Sequence, residues 1–349
     1  MSLFEEKAVN TTPISALGEY ALIDHLTKGI KIKNKSTVKG VGDDAAVIDI
    51  GDKYQLISTD LLVEGVHFDL AYTPLKHLGY KAVAVNVSDI CAMNGEAKQI
   101  TVGLALSNRF SVEALEELYK GMNLACKHYG VDLVGGDTTT STSGLMISVT
   151  ALGEVEKDKI TYRSGAKVND LIVATGDLGA AYLGLQLLKR EKEIYIANPK
   201  MQPDLGGNDY VLQRQLKPEA RIDIVKKLKE LKIIPTSMID ISDGLASEIL
   251  HLSEASNLGV KIFEEKLPIL EETKLVAKEF DLNFSNCALN GGEEYELLFS
   301  ITPNEYELIK KNNIDIKPIG YFTKDKSKKI VLSNNKEDEL KSFGWKHFN

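Results

Sequence analysis

The sequence predicts an α+β protein of two domains with mixed sheets. Three observations carry that expectation. The chain has 349 residues, longer than one hydrophobic core usually serves. Strand-like and helix-like segments mix without strict βαβ alternation, which disfavours a doubly wound fold. A polar, turn-rich stretch near 155–170, with Glu156-Lys-Asp-Lys159 and Ser164-Gly-Ala-Lys-Val-Asn-Asp170, divides two more apolar halves. The expected domains are therefore 1–155 and 156–349.

Residues 15–30 read as a helix, with Leu17, Tyr20, Ala21 and Ile23 on one side. Val47-Ile-Asp-Ile50 and Tyr54–Asp60 read as strands. Thr73-Pro74 starts a helix, because threonine caps and proline fits the first helical position. That helix runs to about Met93 and stops at Asn94-Gly95. A strand at 100–106 precedes an amphipathic helix from Ser111 to Tyr129, with Val112, Leu115, Leu118 and Met122 at helical spacing. Strands follow at 131–134 and 145–152. The second half opens with a strand at 171–175 and a helix from Leu178 to about Glu193. Residues 198–210, rich in Asn, Pro and Gly, read as a long loop. Helices are expected at 218–230, 243–257 and 271–279. A strand at 294–301 and a terminal region to Phe348 close the chain.

Composition narrows the function. Hydrophobic content is 43% and charged content 26%, the balance of a soluble globular protein. No apolar run reaches the length of a membrane span. The opening Met1-Ser-Leu-Phe-Glu-Glu-Lys7 carries no signal-peptide pattern. Three distant cysteines, Cys91, Cys126 and Cys287, suggest neither a disulfide framework nor a zinc site. The expected compartment is the cytoplasm. A net charge of −8 argues against a nucleic-acid partner, which calls for a basic face. An acidic protein that binds an anionic nucleotide needs cations as a bridge.

Aspartates that end or interrupt apolar segments supply the chemistry. They are Asp43 and Asp44, Asp60, Asp89, Asp137, and Asp240 with Asp243. An ionised carboxylate is expensive to bury without a partner charge. Magnesium takes oxygen ligands, usually one or two carboxylates plus phosphate oxygens. The set therefore suggests several Mg²⁺ ions holding a polyphosphate. Asp89 sits in a helix apolar on nearly every side, so a metal ligand competes with a salt bridge there. Ser58-Thr59-Asp60 ends a strand and suits either Mg²⁺ or a polar turn. Gly135-Gly136-Asp137-Thr138 lets backbone approach a phosphate or merely turns. Asp240-Ile-Ser242-Asp243-Gly244 offers amides to an anion or simply caps a helix. No Gly-x-x-x-x-Gly-Lys-Ser/Thr occurs, which excludes a P-loop. Gly40-Val-Gly42-Asp-Asp-Ala45 fits a dinucleotide fingerprint. However, a strand follows it, and two aspartates stand where a pyrophosphate would approach.

These motifs occur in an order that resembles the thiamine-monophosphate kinases, within the superfamily of aminoimidazole ribonucleotide synthetase. The likeness rests on Gly40–Ala46, Ile57–Asp60, Leu62–Phe68, Val134–Thr138, Arg163–Ala166, Ile239–Leu245, Gly291–Leu297 and the terminal Gly344-Trp-Lys-His-Phe348. It spans about residues 15–348. The resemblance implies a two-domain aminoimidazole ribonucleotide synthetase-like fold. Its N-terminal mixed sheet forms a barrel across a homodimer, and its C-terminal domain is an α/β sandwich. It implies that ATP phosphorylates thiamine monophosphate to thiamine diphosphate by direct in-line transfer, with several Mg²⁺ ions and no catalytic residue beyond the metal ligands. It assigns metal binding to Asp44, Ser58, Thr59, Asp60, Asp89, Asp137, Asp240 and Asp243. It assigns ATP contacts to Tyr119, Gly136, Asp137, Arg163 and Ser242, and substrate contacts to His67, Glu293 and Trp345.

The residue types suit these roles, though each has a plainer reading. Trp345 offers a π face to the thiazolium cation or anchors the C-terminal tail. Glu293 accepts a hydrogen bond from the aminopyrimidine or sits on a solvated turn. His67 bonds the substrate phosphate or is structural. Arg163 forks onto the triphosphate or closes a boundary salt bridge. Asp43 has no assigned role. Thr138-Thr-Thr-Ser141 lacks an arginine usual after the Gly-Gly-Asp motif, Asn94-Gly-Glu96 departs from the usual small residues, and 198–210 is a candidate lid. A related ATP-using ligase and a non-catalytic nucleotide or metal sensor are the rival readings.

Overall fold

The computed structural model describes residues 11–312, 314 and 316–344. Helix α1 (Glu19–Thr27) follows a short 3₁₀ turn. Strands β1 (Thr37–Lys39), β2 (Ala46–Asp49) and β3 (Lys53–Val63) lead to helix α2 (Leu75–Ala92). Next come β4 (Glu96–Leu106), α3 (Val112–Tyr129), β5 (Asp132–Thr140) and β6 (Met146–Glu156). The remaining elements are β7 (Leu171–Ala174), α4 (Ala180–Ala197), α5 (Asp209–Leu216), α6 (Ile222–Glu230), β8 (Ser237–Ile241), α7 (Leu245–Ser256), β9 (Gly259–Phe263), α8 (Glu271–Glu279), α9 (Phe284–Asn290), β10 (Glu296–Ile301), α10 (Pro303–Lys311), β11 (Lys317–Thr323), β12 (Lys328–Val331) and β13 (Glu337–Glu339).

Two mixed sheets result. The first has the order β1-β2-β3-β6-β4-β5, and the second β13-β12-β9-β11-β7-β10-β8. Among the described strands only β4–β5 and β9–β12 pair in parallel, so the expected α+β class with mixed sheets stands. Helix α2 is the hinge of the whole arrangement. It packs on β3, β4 and β6, on α3, and on β8 and β10 of the second sheet. Fourteen of its 18 residues are buried, which explains an apolar character on nearly every side.

The first sheet covers only one face with helices. Alternation along β3 sends Ser58, Asp60 and Leu62 towards α2, and Thr59 and Leu61 the other way. On that outer side Leu61, Val134 and Ile50 are exposed. No described helix lies against it.

Several segments differ from expectation. Helix α5 begins inside the stretch read as a loop, because that stretch carries polar Asn208 and Asp209 near its end and the buried Val211 and Leu212 lie just beyond it. The terminal region and the run after α7 hold β9, α9, α10 and β11 to β13, all short. The segment before α5 is pinned by the Asp204 N–H on Glu191 of α4 at 2.9 Å. Trp345 lies outside the described residues. No described helix is long and apolar enough to cross a membrane.

Candidate active site

Three elements bring three carboxylates together. Asp44 stands in the turn before β2, Asp89 on the last turns of α2, and Asp240 on β8. One oxygen from each lies within 4.8 Å of the others. Two carboxylates at about 4 Å repel by about 4 kcal/mol at an effective dielectric of 20. Only part of that repulsion is offset within the chain. Ser88 donates to Asp240 at 2.6 Å, Ser58 donates to Asp89, and Arg163 holds Asp44 Oδ1 at 2.7 Å. The second oxygen, Asp44 Oδ2, is buried with no hydrogen-bond partner among the described residues.

The protonation behaviour records this crowding. Burial, then the charges of Asp60, Asp240 and Asp44, push Asp89 well above the ordinary carboxylate range. Asp240 is pushed up to about 8 by burial and by Asp44. Asp60 rises to about 6 through burial and the nearby Glu293. A donor set of hard oxygens, one of them orphaned, fits Mg²⁺ chemically.

An open cleft of about 1760 Å³ runs past this cluster, lined among others by Asp60, His67, Asp89, Asp240, Asp243 and Glu293. The Asp60 N–H donates to Asn86 Oδ1 of α2 at 3.0 Å, which fixes the end of β3 against the helix. His67 Nδ1 accepts the Val63 N–H at 3.0 Å. That nitrogen therefore lacks a proton, and the ring presents Nε2–H as its donor. Ser242 and Asp243 begin the turn into α7, where the Asp243 N–H donates to buried Glu248 at 2.9 Å. Asp243 itself accepts from Tyr20 of α1.

Other predicted residues stand apart from the cluster. The Thr59 hydroxyl sits on Val149 O and Thr150, both at 3.1 Å, on the outer side of the sheet. Gly136 shares a ladder row with Asp60 through Val149 and Val102. Three strand spacings place it, and Asp137 beside it, about 14 Å away. Asp137 is exposed on edge strand β5. Tyr119 packs against the first core. Asp43 acquires a place that the sequence did not suggest. Its buried carboxylate accepts the Arg163 N–H at 3.0 Å and faces Lys39 at 3.5 Å, so it seats the arginine that steadies Asp44.

Sequence reasoning missed Asn86, Ser88, Lys81, Glu248 and Tyr20. A signal existed for two of them. Lys81, Val85 and Asp89 are spaced i, i+4, i+8 on one face of α2, and Ser88 adjoins Asp89.

Comparison with known proteins bears on the fold and the family. Residues 42–155 match the AIR synthase related protein, N-terminal domain, and residues 167–333 its C-terminal domain. The thiamine-monophosphate kinase of Bacillus subtilis is 36% identical over 95% of this chain and 100% of its own. AaThiL complexed with AMPPCP and TMP superposes with a TM-score of 0.82 at 33% identity, over 97% of this chain and 99% of that one. The thiamine monophosphate kinase of Aquifex aeolicus superposes at 0.73 and 33% identity, over 90% and 97%. With both family domains in order and identity above 30% along nearly its whole length, the chain belongs to the thiamine-monophosphate kinase family.

Proposed function

We propose that the cleft binds ATP and thiamine monophosphate and transfers the γ-phosphoryl group to the substrate phosphate, giving ADP and thiamine diphosphate. The convergence of Asp44, Asp89 and Asp240 carries this reading, in a chain whose relatives bear that activity in their names. A solved relative complexed with AMPPCP and TMP supports the substrate pair.

Phosphoryl transfer asks for positioning and charge neutralisation more than covalent chemistry. Mg²⁺ bound by these carboxylates would screen the two approaching phosphates and hold them in line. Asp44, Asp89 and Asp240 form the centre of the ligand set, with Ser58, Asp60 and Asp243 at its border. The substrate phosphate is already largely dianionic near neutral pH, since its second pKa is about 6. No strong base is needed. His67 donates Nε2–H towards a phosphate oxygen, and Glu293 accepts from the aminopyrimidine. Ser242 and Arg163 contact ATP, with Tyr119 as a further ATP contact, and Trp345 contacts the thiamine phosphate.

The domain at 1–155 supplies most of the metal ligands and the dimer interface, and that at 156–349 completes both substrate sites. In the homodimer the outer faces of two first sheets close into a barrel. The exposed Leu61, Val134 and Ile50 on that face support this. Asp137 and Gly136, remote from their own cluster, then serve nucleotide at the junction. Three free, buried cysteines suit the reducing cytoplasm. An ADP-release assay tests the function: turnover with thiamine monophosphate, and none with thiamine or without acceptor. ADP release that ignores the acceptor would overturn it.

A further inference from the structure

Lys81 is 2% exposed and belongs to neither the metal site nor any predicted contact. Its ammonium donates to Glu293 Oε2 and to the Gln215 carbonyl at 3.4 Å. The Gln215 side-chain amide donates to the same Oε2 at 3.2 Å. Among the described residues the other oxygen, Oε1, has only a long contact from the Tyr295 hydroxyl at 3.4 Å. One carboxylate oxygen is thus loaded by a cation and an amide, while its twin, on a residue that lines the cleft, carries the weaker contact.

The backbone beneath Glu293 is equally constrained. Glu293 and Tyr295 have φ of +67° and +54°, a left-handed conformation that L side chains rarely adopt. A Cβ on Gly292 would lie 2.5 Å from Ser242 O, so this turn sits directly on the Ser242–Asp243 turn. Strained backbone of this kind persists where its surroundings over-determine it.

We propose that Lys81 is a positioning residue that fixes Glu293 Oε2 and thereby aims Oε1 at the amino group of the aminopyrimidine. The inference rests on the thiamine monophosphate reading and deepens it. Lys81 would set how well the enzyme tells a 4-amino ring from a 4-oxo ring. The amino group donates to a carboxylate; a carbonyl at the same place repels it. Lys81 stands two helical turns, about 12 Å of rise, from Asp89 on the same face of α2. One helix therefore holds the phosphate end and the ring end of the substrate at a fixed separation.

The test compares wild type, Lys81→Met, Glu293→Gln and the double variant, with thiamine monophosphate and its 4-oxo analogue as acceptors. Loss of an aligned hydrogen bond to a charged group predicts a rise of about tenfold or more in KM for thiamine monophosphate in Lys81→Met. The kcat and the KM for ATP should stay near wild type, and the preference for the amino ring should collapse. The double variant should match Glu293→Gln alone, because Lys81 acts through Glu293. The double variant also removes both charges, so it reports on the idea even if Lys81→Met folds poorly. A fall in kcat at unchanged KM, a retained ring preference, or a double variant worse than Glu293→Gln would each overturn it. Wild type inert towards thiamine monophosphate would instead sink the functional reading itself.

Discussion

At the residue scale, the aspartate cluster couples protonation, metal binding and stability. Burial and neighbouring carboxylates push Asp240 up to about 8 and Asp60 up to about 6, above the ordinary value of about 3.9 for a free aspartate. The folded state therefore keeps protons that the unfolded chain has released. Without metal, these two groups make stability fall as pH rises from about 4 to about 8. Mg²⁺ competes with those protons, so its stabilising effect should grow across the same window. Melting curves in chelator and in saturating Mg²⁺ check this, with Asp240→Asn flattening the slope in chelator. An unchanged slope in that variant would count against the assignment. Asp89→Asn removes a charge from the centre of the cluster. It should stay folded yet lose activity by about a hundredfold or more, as expected for a group central to charge stabilisation. Near-normal turnover at saturating Mg²⁺ would contradict it. The aspartates were legible because each one interrupts an apolar run. Their helpers were not: Ser88 bonds a residue 152 positions away and Lys81 one 212 positions away, separations that no local pattern encodes.

At the element scale, α2 holds the site together and α3 holds α2. The two helices cross with backbone in contact. A Cβ on Gly79 would lie 2.0 Å from Leu118 O, and one on Gly121 would lie 1.9 Å from Lys76 O. Backbone faces backbone at both points, so neither side can yield by a rotamer change. Gly79→Ala should destabilise by about 3 kcal/mol through overpacking. A calorimetric melt reads the loss, and an unchanged melting temperature would show that the helices can part freely. The long elements α3, β3 and β6 were legible because periodicity accumulates over 11 residues or more, and α2 because Thr73-Pro74 and Asn94-Gly95 mark its ends. Short ones such as α9 and β13 offer no such run. Helix α10 did carry a start signal, since Thr302 and Glu305 form a capping box around Pro303.

At the scale of the whole molecule, the expectation of two domains followed from length, and that of mixed sheets from irregular alternation. What no single-chain pattern could convey is the outer face of the first sheet. Its apolar residues alternate with buried ones, so they read as ordinary strand residues until the sheet is seen uncovered. If that face pairs two copies, Leu61→Asp with Val134→Asp should yield monomers by light scattering. Activity should fall with them by about tenfold or more, because like charges would be forced together in the desolvated interface. Full activity in a monomer would remove the dimer from the mechanism.

The separation of Asp137 from Asp44, Asp89 and Asp240 has a genetic consequence. If nucleotide is held by Asp137 of one subunit against the carboxylate cluster of the other, two defective alleles can repair each other. Co-expression of an Asp137 variant with an Asp89 variant gives mixed dimers in which one site has lost both groups and the other has kept both. Half of the active centres in such a heterodimer would then work, although neither parent does.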